Sequence, residues 1–167
     1  MKTITKLTLV WICLSSFMFS SSVKQINLKE IPNHNSPILS VFISEKPHQT
    51  LQVKIQVDKV FLKSKGLVDK QFKPLSIPLK KYFKAHLKIN LNDNQQILHL
   101  KSISENKLRV HITYQIKNIA ELKNMQVFSD CLAQMEEHDR MPIHVNIGVV
   151  NKKYSINNEK TSIKIKF

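Results

Sequence analysis

The chain has 167 residues, 26 Lys and Arg against 12 Asp and Glu, and a formal net charge of +14, enough length for one domain with a real core. Such charge implies either attraction to an anionic partner or a solvated lysine surface. Only Arg109 and Arg140 are arginine, and no aromatic residues interleave with the lysines, which argues against phosphate-fork, base-edge or single-strand recognition of nucleic acid.

Lys2 and Lys6 precede an apolar run at 7–19, and Ser20, Ser21 and Ser22 follow it. That order predicts a secretory signal peptide over 1–22, cut after Ser22. The run is shorter than the roughly 20 residues a membrane-spanning helix needs, so no transmembrane helix is expected after cleavage. Cys13 follows Trp11 and Ile12, not the small residues lipidation would favour. The mature domain, 23–167, then keeps Cys131 as its only cysteine and holds together without an internal disulfide. Export places it in the periplasm or outside the cell.

Strand patterns fill the mature chain. Leu51, Val53, Ile55 and Val57 alternate with Gln52, Lys54, Gln56 and Asp58, the period of a half-buried strand. Leu108, Val110, Ile112, Tyr114 and Ile116 repeat it, as do Ile143, Val145, Ile147 and Val149, then Ile163, Ile165 and Phe167. Shorter candidates lie at 38–44, 87–91, 97–102, 125–128 and 153–156. Turns are expected at 92–94, 104–107 and 157–159, with Asn151 and Lys152 closing a hairpin. With only Gly66 and Gly148 in the chain, asparagine is expected to take most left-handed turn positions. The sum is a mainly β fold, an immunoglobulin-like antiparallel β-sandwich.

One stretch breaks that rhythm. Ser76 is placed to cap a helix over about 78–86, with Pro78 near its start. Leu79, Tyr82, Phe83, His86 and Leu87 fall on one stripe. The lysine-rich segment 63–73 is expected to be an exposed, mobile loop, and 130–138 a helical turn or loop.

Chemistry has few candidates. Cys131 and His138 would share a face of a helical segment and could form a nucleophilic or metal-ligating pair; alternatively Cys131 is a buried small hydrophobe and His138 a surface residue. His99, His111 and His144 lie on predicted strands and, with His34, are the candidate metal ligands if the sheet brings them together. No nucleophile elbow, Walker loop, dinucleotide fingerprint or HExxH is present, so neither catalytic residues nor a cofactor is assigned.

The segments also resemble a family. His34 and Pro37 precede ILSVFISE, LQVKIQVDKVFL follows, and Leu79, Tyr82, Phe83, His86, Leu87 and Ile89 form a helix-to-strand passage. The stretch 118–127 continues the pattern. Together they resemble a family of small exported proteins of unknown function from Bacteroidetes-type bacteria, and are distantly similar to the extracytoplasmic β domain of nickel/cobalt-type transporters. The resemblance implies an immunoglobulin-like sandwich outside the cytoplasm and transfers no catalytic residue. Family members carry a His-Pro pair at the mature N-terminus; here Asn35 and Ser36 separate His34 from Pro37. The expectation is a non-enzymatic exported binding protein of the cell envelope. The alternatives are a periplasmic metal-handling module and a domain docking on anionic lipid or polysaccharide.

Overall fold

A computed structural model describes residues 37–119, 121–132 and 139–167. The expected signal peptide, Cys13, His34 and His138 lie outside the described residues. The elements run β1 (Leu39–Lys46), β2 (Thr50–Asp58), α1 (Lys59–Ser64), α2 (Ser76–His86), β3 (Leu87–Leu91) and β4 (Asn94–Gln95). Then follow β5 (His99–Glu105), β6 (Arg109–Ile116), β7 (Asn124–Ser129), β8 (Met141–Ile147), β9 (Val150–Ile156) and β10 (Ser162–Lys166). Two sheets result, one in the order β5-β6-β2-β1-β8-β9 and one in the order β10-β7-β3-β4. The chain is mainly β, a two-sheet sandwich, as its alternation predicts.

Register turns that alternation into layers. Ile103, Ile112, Ile55, Val41 and Ile143 align across five strands, and Tyr114, Val53, Ile43 and Val145 align in the next row. Ile163, Val127 and Ile89 make the matching row of the smaller sheet. All of these except the partly buried Ile103 are buried, each of the buried ones contributing roughly 1.5–3 kcal/mol by leaving water. A slip of one residue would turn Lys54 and Gln56 inward and Ile55 out, so the register is fixed by burial.

One pairing departs from the expected antiparallel pattern: β1 and β8 run parallel. They are far apart in sequence, so the long connection a parallel pair requires exists. Other details differ as well. The hairpin into β9 turns at Gly148, with φ +53, and Asn151 and Lys152 lie inside the strand. Gly148 takes the left-handed backbone that the turn needs, and its N–H donates to Glu45 Oε2 at 3.0 Å. Val149 therefore sits exposed at the turn. Asparagine does take this conformation at Asn92 and Asn118, but so do His48, Gln49, Phe72 and Asp93.

The sheet edges account for part of the lysine. β5 carries Lys101 at a bulge between Leu100 and Ser102, β9 carries Lys152 and Lys153, and β10 carries Lys164 and Lys166. β4 is only two residues long. Charge, bulges and brevity are what keep open sheet edges from pairing with other chains.

Residues 59–86 connect the two sheets across one end. α1 was not anticipated in the alternating run through Phe61. Asp58 stops the strand: its carboxylate accepts the Val60 N–H at 2.7 Å and caps the helix. At the far end the Leu67 N–H donates to the Leu62 carbonyl at 2.8 Å and Gly66 N–H to the Lys63 carbonyl at 3.0 Å. Gly66, at φ +66, makes this paired C-terminal cap possible. The following segment is not the expected mobile loop. Leu67 and Val68 are buried, Val68 bridges Pro74, and Asp69 Oδ1 accepts the N–H groups of Gln71 and Lys73, each at 2.8 Å. That turn holds Phe72 at φ +61 with the Lys63 ammonium 4.4 Å above its ring. α2 begins two residues before the expected start, and its N-cap is Leu75 with no side-chain cap bond. Ser76 is already inside the first turn, where the Pro78 nitrogen leaves no helical bond unmade. Phe61, Leu62, Leu79 and Phe83 close this end of the core.

Candidate functional site

α2 presents two faces besides its buried one. Lys80 and Lys84, one turn apart on α2, and Leu87 at the start of β3 line the side toward the chain that crosses from β4 to β5. Between them lies a groove of about 390 Å³, within the ~300–1,000 Å³ of ligand clefts. Gln95, Gln96, Ile97, Leu98, His99 and Leu100 form its other wall. The Gln96 N–H donates to the Ile89 carbonyl at 2.8 Å, so the crossing segment stays tied to β3 before it joins the larger sheet. Among the described residues no carboxylate lines the groove. Its floor is apolar, with Leu87 buried and Leu98 and Leu100 partly buried against the core.

The other face of α2 carries Tyr82 and His86. His86 Nδ1 lies 2.7 Å from Asp130 Oδ1; the carboxylate only accepts, so Nδ1 carries the proton. The Tyr82 ring packs at 4.5 Å from that of His86, and its hydroxyl hydrogen-bonds the Cys131 sulfur. Cys131 is 3% exposed. Its thiol donates to the His86 carbonyl at 3.7 Å, and its N–H donates to Ser129 Oγ at 3.3 Å. Burial pushes the thiol up to about 11, with the nearby Asp130 charge adding to the rise. Burial, then the Cys131 and Asp130 charges, raises the Tyr82 hydroxyl as well. Tyr114 is pushed up to about 12, first by burial and then by Cys131. The thiol thus keeps its proton at neutral pH and gives its hydrogen bond to a carbonyl, not to the imidazole ring. It is a buried apolar-like side chain, one of the two readings open from sequence, and its raised pKa is the opposite of what activates a nucleophile.

The candidate metal ligands do not converge. His99, His111 and His144 all lie on the outer face of the six-stranded sheet. His111 and His144 are three strands apart, roughly 14 Å at ~4.8 Å per strand. His99 stands opposite Gln115, whereas His111 stands opposite Ser104. His144 stacks on Phe42 at 4.6 Å, and burial lowers the basicity of His111, with Lys54 and Arg109 adding to it. Among the described residues no group of three His, Cys, Asp or Glu is placed to hold a metal ion.

Charge is concentrated elsewhere. Residues 59–84 contain eight lysines, Lys59, Lys63, Lys65, Lys70, Lys73, Lys80, Lys81 and Lys84, against one acid, Asp69. Lys59 is paired with Glu105. Three large apolar side chains in the same stretch, Val60, Leu75 and Ile77, are exposed. The sequence marks 63–73 as lysine-rich but gives no motif that assigns it a role. The His86–Asp130 pair joins residues 44 apart in sequence, which no local pattern announces.

Compared with models of known protein families and with curated proteins, the chain matches none. No helix among the described residues is long and apolar enough to cross a membrane.

Proposed function

We propose that this chain is an exported, non-enzymatic binding domain of the cell envelope whose helical cap, residues 59–84, docks on an anionic surface. Export rests on the leader pattern at 1–22 and on the resemblance to small exported proteins. The non-enzymatic reading is supported by the protonated, buried Cys131 and by the dispersal of His99, His111 and His144 across the sheet. The observation that carries the proposal is the cap itself: eight lysines lie there, away from the sheet edges, interspersed with exposed Val60, Leu75 and Ile77. Each lysine brought near an anionic leaflet contributes about 1 kcal/mol, and apolar side chains between them deepen the contact.

Co-sedimentation of the full chain with vesicles tests this. Vesicles containing phosphatidylglycerol should retain the protein at ~50 mM salt and release it steeply toward ~500 mM, because screening shortens the reach of exposed charges. Equal binding to neutral phosphatidylcholine vesicles, or binding insensitive to salt, would refute it.

A further inference from the structure

We infer that the groove between α2 and the β4–β5 crossing binds a single-chain anionic amphiphile, a long-chain carboxylate, with its head at Lys80 and Lys84 and its alkyl chain over Leu87, Leu98 and Leu100. The inference shares with the proposed function Lys80, Lys84 and the sign of its partner's charge, but it rests on a further feature, the groove itself. Three observations select this occupant. The first is charge: Lys80 and Lys84 stand one helical turn apart on the same face, and among the described residues no Asp or Glu lines the groove, so an anionic head meets attraction there. The second is the floor, which is apolar and continuous with the core, while Ile97 at the lip is 69% exposed. An alkyl chain laid there would cover apolar surface that water now contacts. The third is size: about 390 Å³ lies near the small end of ligand clefts, suited to one chain and cramped for the two of a membrane lipid.

Other occupants fit less well. An extended peptide adding to the sheet needs a regular free edge. Here β5 is bulged between Leu100 and Ser102 and carries Lys101, and β4 offers two residues. A nucleotide base would want an aromatic platform, and the groove wall has none beyond His99.

The test is calorimetric titration of the full chain with sodium dodecanoate below its micelle concentration, alongside sodium acetate and dodecylammonium chloride. The inference predicts saturable one-to-one binding of dodecanoate with a negative heat-capacity change. It also predicts that K80E/K84E and Ile97→Asp, all at exposed positions, each weaken binding at least tenfold. Acetate and dodecylammonium should bind at least tenfold more weakly than dodecanoate. The inference is overturned by absent binding, by dodecanoate affinity unchanged in both variants, or by either control binding as tightly as dodecanoate. If dodecanoate binds as predicted while phosphatidylglycerol vesicles fail to retain the protein, the groove assignment stands and the docking role of the cap falls.

Discussion

The six-stranded sheet and the helical cap obey different rules. In β2 and β6 nearly every second side chain is buried, and its neighbours are left half-exposed and polar. In the cap, Leu62 and Phe83 are fully or nearly fully buried while Val60, Leu75 and Ile77 face water among lysines. The sheet spends its apolar residues on the core. The cap places several where folding gains little from them, and there the proposed docking would cover them. Stability and function should therefore separate along this boundary.

The largest contrast lies in truncation. Ile55→Ala or Ile112→Ala should lower unfolding free energy by about 2–5 kcal/mol, whereas Ile77→Ala should stay within about 0.5 kcal/mol; urea unfolding of the three variants measures both. A comparable loss at Ile77 would mean that the cap is core, not docking surface.

Alkaline pH reaches the junction between the two regions. Cys131 is pushed up to about 11 from an ordinary 9.0, so the folded chain holds a proton that the unfolded chain releases. Its contribution is fully present below about pH 9 and is lost as pH rises toward 11, on the order of 2 kcal/mol. Denaturation midpoints should fall across that window and fall less in Cys131→Ala, once each is referred to its own value at pH 8. Identical slopes would show that the thiol is not held protonated by folding. For the same reason iodoacetamide should modify the native protein far more slowly than the urea-unfolded one.

Smaller effects probe the ends of α1. Gly66→Ala should cost about 1–2 kcal/mol through backbone strain alone, because a Cβ there meets nothing within 4 Å. Asp58→Ala should cost about 1 kcal/mol through loss of the helix cap. Both changes should leave the sheet unaltered by circular dichroism, and a full unfolding transition shift well beyond these values would mean that the cap nucleates the sandwich. Smallest of all, Asp130→Asn removes a partly exposed pair with His86 and should cost no more than about 1 kcal/mol.

The same boundary divides what the sequence made legible. Period-two burial is a local signal, so β2, β3 and β6 could be placed within a residue or two from Leu51–Val57, Leu87–Leu91 and Leu108–Ile116. Where a cap ends a strand, periodicity misleads: Val60 and Phe61 read as more of β2 until Asp58 is recognised as the N-cap of α1. Gly66 marked a break but not the paired carbonyl bonds that make it a helix end. Site geometry was less accessible still. His86 meets Asp130, and Lys84 shares a groove with Leu98, only because the fold brings parts of the chain that are distant in sequence together beside α2. The histidines failed as a cluster for the complementary reason. Alternation put His99, His111 and His144 on one face, but register separates His99 from His111 and strand order separates His144 from both, and no local pattern encodes either.

The decisive measurement is vesicle co-sedimentation of the full chain carrying K63E/K70E/K73E, read beside its urea midpoint. The account predicts a midpoint close to that of the unsubstituted protein and near-complete loss of retention on phosphatidylglycerol vesicles at ~50 mM salt, well within the reach of unscreened charge. Retention equal to that of the unsubstituted protein, with the fold intact, would contradict it.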